Sequence, residues 1–225
     1  MSINMVVFDM AGTSVDENNV VYKTLHKVIN DAGHQFTLDE VLRLGAGKEK
    51  LQAIRDILAS DATADASPAT TAILYQSFEQ ELAVAYNSIE LKPQPGAEVL
   101  FQELKSRKVK VVLNTGYNKA TATAILQKLN WIEGQHYDAL ITASDVIQNR
   151  PHPDMIELAM QQLQITDPLQ VVKVGDSIID IEEGKNAHCK YSIGITTGAH
   201  TQPQLLSANP DFIIDHLSEL LPIIL

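Results

Sequence analysis

VVFDMAGT (residues 6–13) places an acidic side chain where a short apolar run stops and a glycine turn begins. The run from Ile3 to Phe8 is rich in β-branched residues and reads as a buried strand, with Asp9 at its carboxyl end. Open α/β sheets place their ligands at that end of the strands. An Asp beside Gly is also an ordinary turn residue, so Asp9 by itself decides nothing. The pattern of the rest of the chain does.

After this strand, residues 19–90 carry helical patterns and no convincing strand. Apolar residues recur at spacings of three and four in Val20, Leu25, Val28 and Ile29, then in Leu51, Ile54, Ile57 and Leu58, then from Ala72 to Ala85. The Ser/Thr/Ala-rich stretch 59–72 connects two of these helices, with an Asp or Ser available to cap the second. At LKPQPGAEVL (91–100) prolines and a glycine punctuate the end of the helical block. Strands and helices then alternate: VKVVLNT (109–115) before a helix over about 118–129, DALITA (138–143) before one over about 153–164, and LQVVKVGD (169–176) before one over about 178–187. KYSIGITTG (190–198) and DFIID (211–215) add two further strands. Such alternation predicts a parallel sheet with helices on both faces, and the first strand, too short to stand alone, belongs to it.

The expected architecture is therefore a Rossmann-like α/β core formed by residues 1–15 and 93–225, interrupted by an all-helical cap over 16–92. Its two chain crossings near 14–18 and 90–96 are short, which lets the cap open and close. The tail LSELLPIIL (217–225) is apolar on one face, suited to docking on the sheet or to a dimer contact, so the expected state is monomer or homodimer.

With 225 residues, 45% of them hydrophobic, the chain can bury a sizeable core. Its 28 acidic against 17 basic residues give a net charge of −11, and no basic run interleaves with aromatics. That argues against nucleic acid and anionic membrane as partners, and for a small-molecule ligand. No apolar stretch approaches the roughly 18 residues of a membrane span, so a cytoplasmic location is expected. Cys189, the single cysteine, rules out an intrachain disulfide and lacks a zinc-type cluster.

Four strand ends carry complementary polar groups: Asp9, Thr115, Arg150 in QNRPHP, and Asp176 in VVKVGDSIID. A parallel sheet brings them to one edge as a candidate nucleophile, a hydroxyl donor, a cation and a second carboxylate. Their natural target is a phosphoryl group. Asp9 and Asp176 suit a hard divalent cation such as Mg2+, with Asp180 one helical turn on to bind one of its waters. Thr115 and the fixed fork of Arg150 suit phosphoryl oxygens, and the Gly12–Thr13 turn adds backbone N–H groups. Each has an ordinary alternative: a helix N-cap for Asp176, a first-turn acid for Asp180, a cap for Thr115, a surface ion pair for Arg150. Together those alternatives require four coincidences in order along one chain.

With these residues in view, the sequence resembles the haloacid dehalogenase superfamily of aspartate-nucleophile hydrolases over nearly its whole length. The matching segments are DMAGT (9–13), NTG (114–116), the basic residue of RPHP (150–153) and GDSIID (175–180). The resemblance implies a covalent aspartyl-phosphate at Asp9, magnesium held by Asp9, the Ala11 carbonyl and Asp176, and phosphate contacts from Thr115 and Arg150. Phosphatases of the superfamily usually carry an acid at position 11, where it protonates the leaving alkoxide, and Ala11 cannot.

DMAGT, TGY (115–117) and RP (150–151) are together similar to the phosphonatase branch, phosphonoacetaldehyde hydrolase and its relatives. Those enzymes cleave a carbon–phosphorus bond through a cap lysine that forms a Schiff base, so the electrons released at carbon pass into an iminium and no acid at position 11 is required. In LGAGKEKLQAIRDIL (44–58), Gly47, Lys50 and Ile54 fit the branch's lysine pattern, and Gly45 with Lys48 fits its first half. Lys50 is therefore the favoured Schiff-base lysine; Lys48, Gly116, Tyr117, Gly12 and Thr13 are placed beside the substrate. The chain departs from the branch at Met10, Ala46 and Ala53, where the relatives carry Trp, Met and His. Three functions follow: a phosphonate hydrolase, a phosphate monoester phosphatase of the phosphoglycolate or sugar type, and an idle domain that binds a phosphorylated ligand. Only the first predicts a reactive lysine, and the last has no use for a nucleophile beside a metal.

Overall fold

The computed structural model describes residues 2–225. Strand β1 (Met5–Asp9) turns into the two-residue β2 (Val15–Asp16). Four helices follow, α1 (Val20–Asp31), α2 (Leu38–Gly45), α3 (Lys50–Ala59) and α4 (Pro68–Ser88), before the chain returns through β3 (Lys92–Pro93). The remainder alternates: α5 (Ala97–Ser106), β4 (Lys110–Thr115), α6 (Lys119–Lys128), β5 (Ala139–Thr142), α7 (Asp154–Gln162), β6 (Val171–Gly175), α8 (Ile178–Asn186), β7 (Tyr191–Ile195), α9 (Gln202–Ser207), β8 (Phe212–Ile214) and α10 (Leu220–Ile224).

Six strands form one parallel sheet in the order β5-β4-β1-β6-β7-β8. Successive strands are laid to one side of β1 and then to the other, so the order reverses there. Asp9 consequently ends the strand at the crevice where such sheets bind ligands. Alternation along β1 divides its side chains between two cores. Val6 and Phe8 face the larger cluster with Leu100, Phe101 and Leu104 of α5, and Met5 and Val7 face a second one with Met155, Ile156 and Ala159 of α7.

The helical block holds four helices where apolar spacing singles out three. The additional α2 is short and is started by a reciprocal capping box, in which the Thr37 side chain accepts from the Glu40 amide and the Glu40 carboxylate accepts from the Thr37 amide. Ser67 caps α4, with Pro68 at its first position. The two crossings between helical block and core pair with each other as an antiparallel ribbon, Val15 opposite Pro93 and Asp16 opposite Lys92. Leu217, Leu220 and Ile224 of the tail are buried in the larger core. Among the described residues, no helix is long and apolar enough to cross a membrane.

Phe101 joins these parts: its ring lies 5.1 Å from that of Phe8 and 5.3 Å from that of Trp131. Replacing it by Ala leaves a cavity under the central strand, and Phe101→Ala is expected to lower unfolding free energy by about 3–5 kcal/mol in urea titrations.

Candidate active site

The ordinary roles open to the strand-end residues are taken by their neighbours. Ser177 caps α8 by accepting from the Asp180 amide, which frees the Asp176 carboxylate. Asn118 caps α6 by accepting from the Thr121 amide at 2.8 Å, which frees Thr115. Arg150 is no surface residue: its side chain is 1% exposed.

Arg150 is the hub of the site. Its Nη1 donates to Asp9 Oδ1 at 2.7 Å and lies 2.9 Å from Asp180 Oδ1, while Nη2 donates to Asn114 Oδ1 at 2.6 Å. Its Nε is 3.0 Å from Glu183 Oε2 without hydrogen-bond alignment, a contact of charges rather than a directed bond. Lys173, wholly buried on β6, donates to Asn114 Oδ1 at 2.6 Å and lies 2.9 Å from Asp180 Oδ1 and 3.1 Å from Glu183 Oε2. Asn114 completes the network by donating to both oxygens of Glu183. Strand register explains the convergence, because Asp9 pairs with Asn114 and Val7 with Lys173, which puts Asp9, Asn114 and Lys173 on one face of the sheet.

Lys173, Glu183 and Asn114 carried no assigned role in the sequence. Lys173 was legible in principle, since a lysine inside the apolar run of a central strand must find buried partners.

Asp9, Asp176 and Asp180 bring carboxylate oxygens within 4.8 Å of one another. Burial and the charge of Asp180 push Asp9 up, against Arg150 and Lys173, which pull it down. Burial, then Asp9 and Asp180, push Asp176 well above the usual carboxylate range. Burial acts the same way on Asp180, but Arg150 and Lys173 outweigh it and hold Asp180 below its ordinary value. Asp176 alone of the three has no cationic side chain at ion-pair distance among the described residues. It accepts from the Ala199 amide at 2.5 Å and faces the Thr13 hydroxyl at 3.4 Å. An all-oxygen trio with one uncompensated member fits a hard divalent cation.

The turn after β1 is tight. Gly12 has φ +84°, and a Cβ there would lie 2.5 Å from Asp176 Oδ2. The Gly12 and Thr13 amides bond to Val15 and Met10 carbonyls, so they close the turn, and it is the Thr13 side chain that reaches Asp176. Thr115 Oγ1 accepts from the Tyr117 amide at 3.2 Å.

The helical block reaches down onto this edge at the start of α3. A Cβ on Gly116 would lie 2.5 Å from the Lys48 carbonyl oxygen, so Gly116 is where the two parts meet backbone to backbone. The two candidate lysines separate there. Lys48 is partly exposed and paired with Asp56. Lys50 is buried, donates to the Lys48 carbonyl at 2.6 Å, and sits 5.5 Å and 5.4 Å from the ring centroids of Tyr22 and Tyr117. Burial depresses its amine below the ordinary lysine value, only partly offset by Asp9, the charge that raises it most.

With fold and site in hand, comparison with known proteins gives the class. The family model "haloacid dehalogenase-like hydrolase" matches residues 3–188, and the chain belongs to that family of hydrolases. Among curated relatives, a phosphonoacetaldehyde hydrolase of Latilactobacillus sakei is 32% identical over 223 residues, covering 95% of this chain and 81% of its own. A solved phosphonoacetaldehyde hydrolase-like protein of Oleispira antarctica superposes with a TM-score of 0.87 at 21% identity, covering 100% of this chain and 92% of that one. A Haemophilus somnus protein predicted to be a phosphoglycolate phosphatase shares the fold at TM-score 0.77 and 18% identity, covering 99% and 98% of the two chains.

Removing Lys173 strips a counter-charge from Asp180 and Glu183, which are both fully buried. Lys173→Met is expected to cost about 3–5 kcal/mol of stability, read by urea denaturation at neutral pH.

Proposed function

We propose that the chain is a magnesium-dependent hydrolase that cleaves the carbon–phosphorus bond of phosphonoacetaldehyde or a close phosphonate, with Asp9 as nucleophile and Lys50 as Schiff-base lysine. The observation that carries this reading is the Lys50 amine, buried between two tyrosine rings with its pKa depressed and close enough to Asp9 to feel its charge. A phosphatase has no need of such a group. The Latilactobacillus relative supports the same substrate class.

In this reading the neutral Lys50 amine condenses with the aldehyde, losing water and leaving an iminium on the carbon next to the one that bears phosphorus. Asp9 then attacks phosphorus. The electron pair of the breaking bond flows into the iminium, giving an enamine on Lys50 and a phosphoryl group on Asp9. Arg150 donates to Asp9 and favours its anionic form against burial and Asp180, and in this reading also faces the phosphoryl oxygens, with the Thr115 hydroxyl as a second donor. Gly12, Thr13, Gly116 and Tyr117 frame the substrate. Lys48, paired with Asp56, lies toward the outside. A magnesium ion held by Asp9, Asp176 and the Ala11 carbonyl, with Asp180 reaching it through a water, would withdraw charge from the phosphoryl oxygens. Water frees phosphate from Asp9 and acetaldehyde from Lys50. Residues 16–92 serve as a cap that opens on the β2–β3 ribbon to admit substrate to the core of 1–15 and 93–225.

The decisive experiment is phosphate release from phosphonoacetaldehyde and from a panel of phosphate monoesters, by wild type and Lys50→Ala with Mg2+ present. Phosphonate turnover falling to background in the variant is expected. Release from monoesters only, unchanged by the substitution, would overturn the reading in favour of a phosphatase.

Metal binding has a separate readout. Asp176, raised by burial, favours the folded state in its protonated form, so that contribution is present below about pH 3.8 and lost as pH rises through its raised pKa. A cation restores it. Mg2+ is expected to raise Tm at neutral pH, and Asp176→Asn to abolish the increase while raising the Tm of the metal-free protein.

A further inference from the structure

One buried acid has no part in the chemistry above. Glu17, the first residue after β2, is 2% exposed and lies beneath the helical block. Its Oε2 accepts from the Val21 amide at 2.9 Å and from the Tyr86 hydroxyl at 3.2 Å. The Tyr86 and Tyr117 hydroxyls are 2.6 Å apart, and since Tyr86 gives its proton to Glu17, Tyr117 must donate to Tyr86. The ring of that same Tyr117 carries the Lys50 amine. Glu17 Oε1 has no hydrogen-bond partner, although it is buried.

This arrangement exceeds what a structural acid requires. The bond to Val21 steadies the first turn of α1, whose N-cap residue Asn19 makes no side-chain bond, but that takes one oxygen. Because Oε2 already accepts two donors, a proton on this carboxyl resides on Oε1. A buried O–H directed at no protein acceptor is costly unless something else takes the bond. Tyr86 on α4 bonds Glu17, and the other titratable groups that interact with it electrostatically are Tyr22 and Lys23 on α1, Lys50 on α3 and Tyr117 after β4. Glu17 and Lys50 each alter the other's proton affinity.

We propose that Glu17 is the acid–base group of the Lys50 centre. When the amine has added to the aldehyde, the Oε1 proton goes to the carbinolamine oxygen. The carbon–oxygen bond breaks with its electron pair leaving in water, and the nitrogen lone pair forms the iminium, with Glu17 left as carboxylate. In the return step, the terminal carbon of the enamine takes a proton from water to give the product iminium. A second water adds to the iminium carbon and Glu17 takes up its proton, and the carbinolamine collapses to acetaldehyde and the free amine. No external oxidant or reductant enters. The inference rests on the Schiff-base reading of Lys50 and deepens it. Burial lifts the Glu17 carboxyl to about 7, against the Val21 amide, the Tyr86 hydroxyl and the charges of Lys50 and Lys23, which suits a group that both gives and takes a proton.

The test follows adduct formation directly. Wild type, E17Q and Y86F are incubated with phosphonoacetaldehyde across a pH series and reduced with borohydride, and the modified peptide is identified by mass. E17Q keeps an oxygen for Val21 and Tyr86 but has no proton to deliver, so trapping at Lys50 is expected to slow by roughly 100-fold or more and to lose an inflection near pH 7. Y86F keeps the carboxyl and removes a bond that favours its anion, so the inflection is expected to move to higher pH; this arm stands even should E17Q not fold. Trapping by E17Q at the wild-type rate, a slow E17Q that retains the inflection, or a Y86F whose inflection does not move would overturn the role of Glu17 alone. No Lys50 adduct in wild type would overturn the Schiff-base reading and this one with it.

Discussion

The site depends on one constraint: Arg150 is held in the protein interior among the carboxylates of Asp9, Asp180 and Glu183. Burying a guanidinium is expensive, and the acids around it become tolerable only through its charge and that of Lys173. The contacts are mutual, since Asp180 and Glu183 each meet both cations. Such a network has one good geometry. It fixes Asp9 by a bond from a group that is itself held by Asp180, Asn114 and Glu183.

The helical block adds a second kind of environment beside the first. Around Arg150 the interior is dense with charge; around Lys50 it is aromatic, with Tyr22 and Tyr117 against the amine and Tyr86 linking Tyr117 to the Glu17 carboxyl. The two sides ask opposite things of their ionisable groups. Arg150 and Lys173 keep Asp180 anionic, while burial among rings favours the neutral amine of Lys50 and the neutral acid of Glu17. Asp9 answers to both, paired with Arg150 and the charge that most raises the Lys50 amine.

Much of this was legible from residue order. The strands ending at Asp9, Thr115 and Asp176 follow from β-branched runs broken by turn residues, and register then dictates that their ends meet. Helices α6, α7 and α8 followed from strand–helix alternation to within two residues at each end, whereas α5 and α9 were not anticipated. What sequence could not supply was pairing at a distance. Glu17 lies in a linker with no periodic pattern around it, and its partner Tyr86 is 69 positions away. Glu183 reads as one more acid on a helix until its neighbour across the sheet, Asn114, is known. Lys48 and Lys50 are two positions apart in sequence and separate only in the structure, where α3 begins at Lys50 with its amine buried while Lys48 lies in the turn before the helix and meets Asp56. Helix α2 escaped notice because a short amphipathic turn is announced by its capping box more than by its apolar residues.

The sheet order has a consequence for biosynthesis. β1 leaves the ribosome well before its sheet neighbours, which are residues 110–114 on one side and 171–174 on the other. The central strand therefore waits, unpaired and apolar, while the whole helical block is made. That block needs only local contacts and can form early. Because its exit strand pairs back onto its entrance at Val15 and Pro93, a folded block returns the growing chain to the place where β1 is waiting. The insertion thus shortens the search that the core must make, turning a separation of about a hundred residues into the width of a two-stranded ribbon.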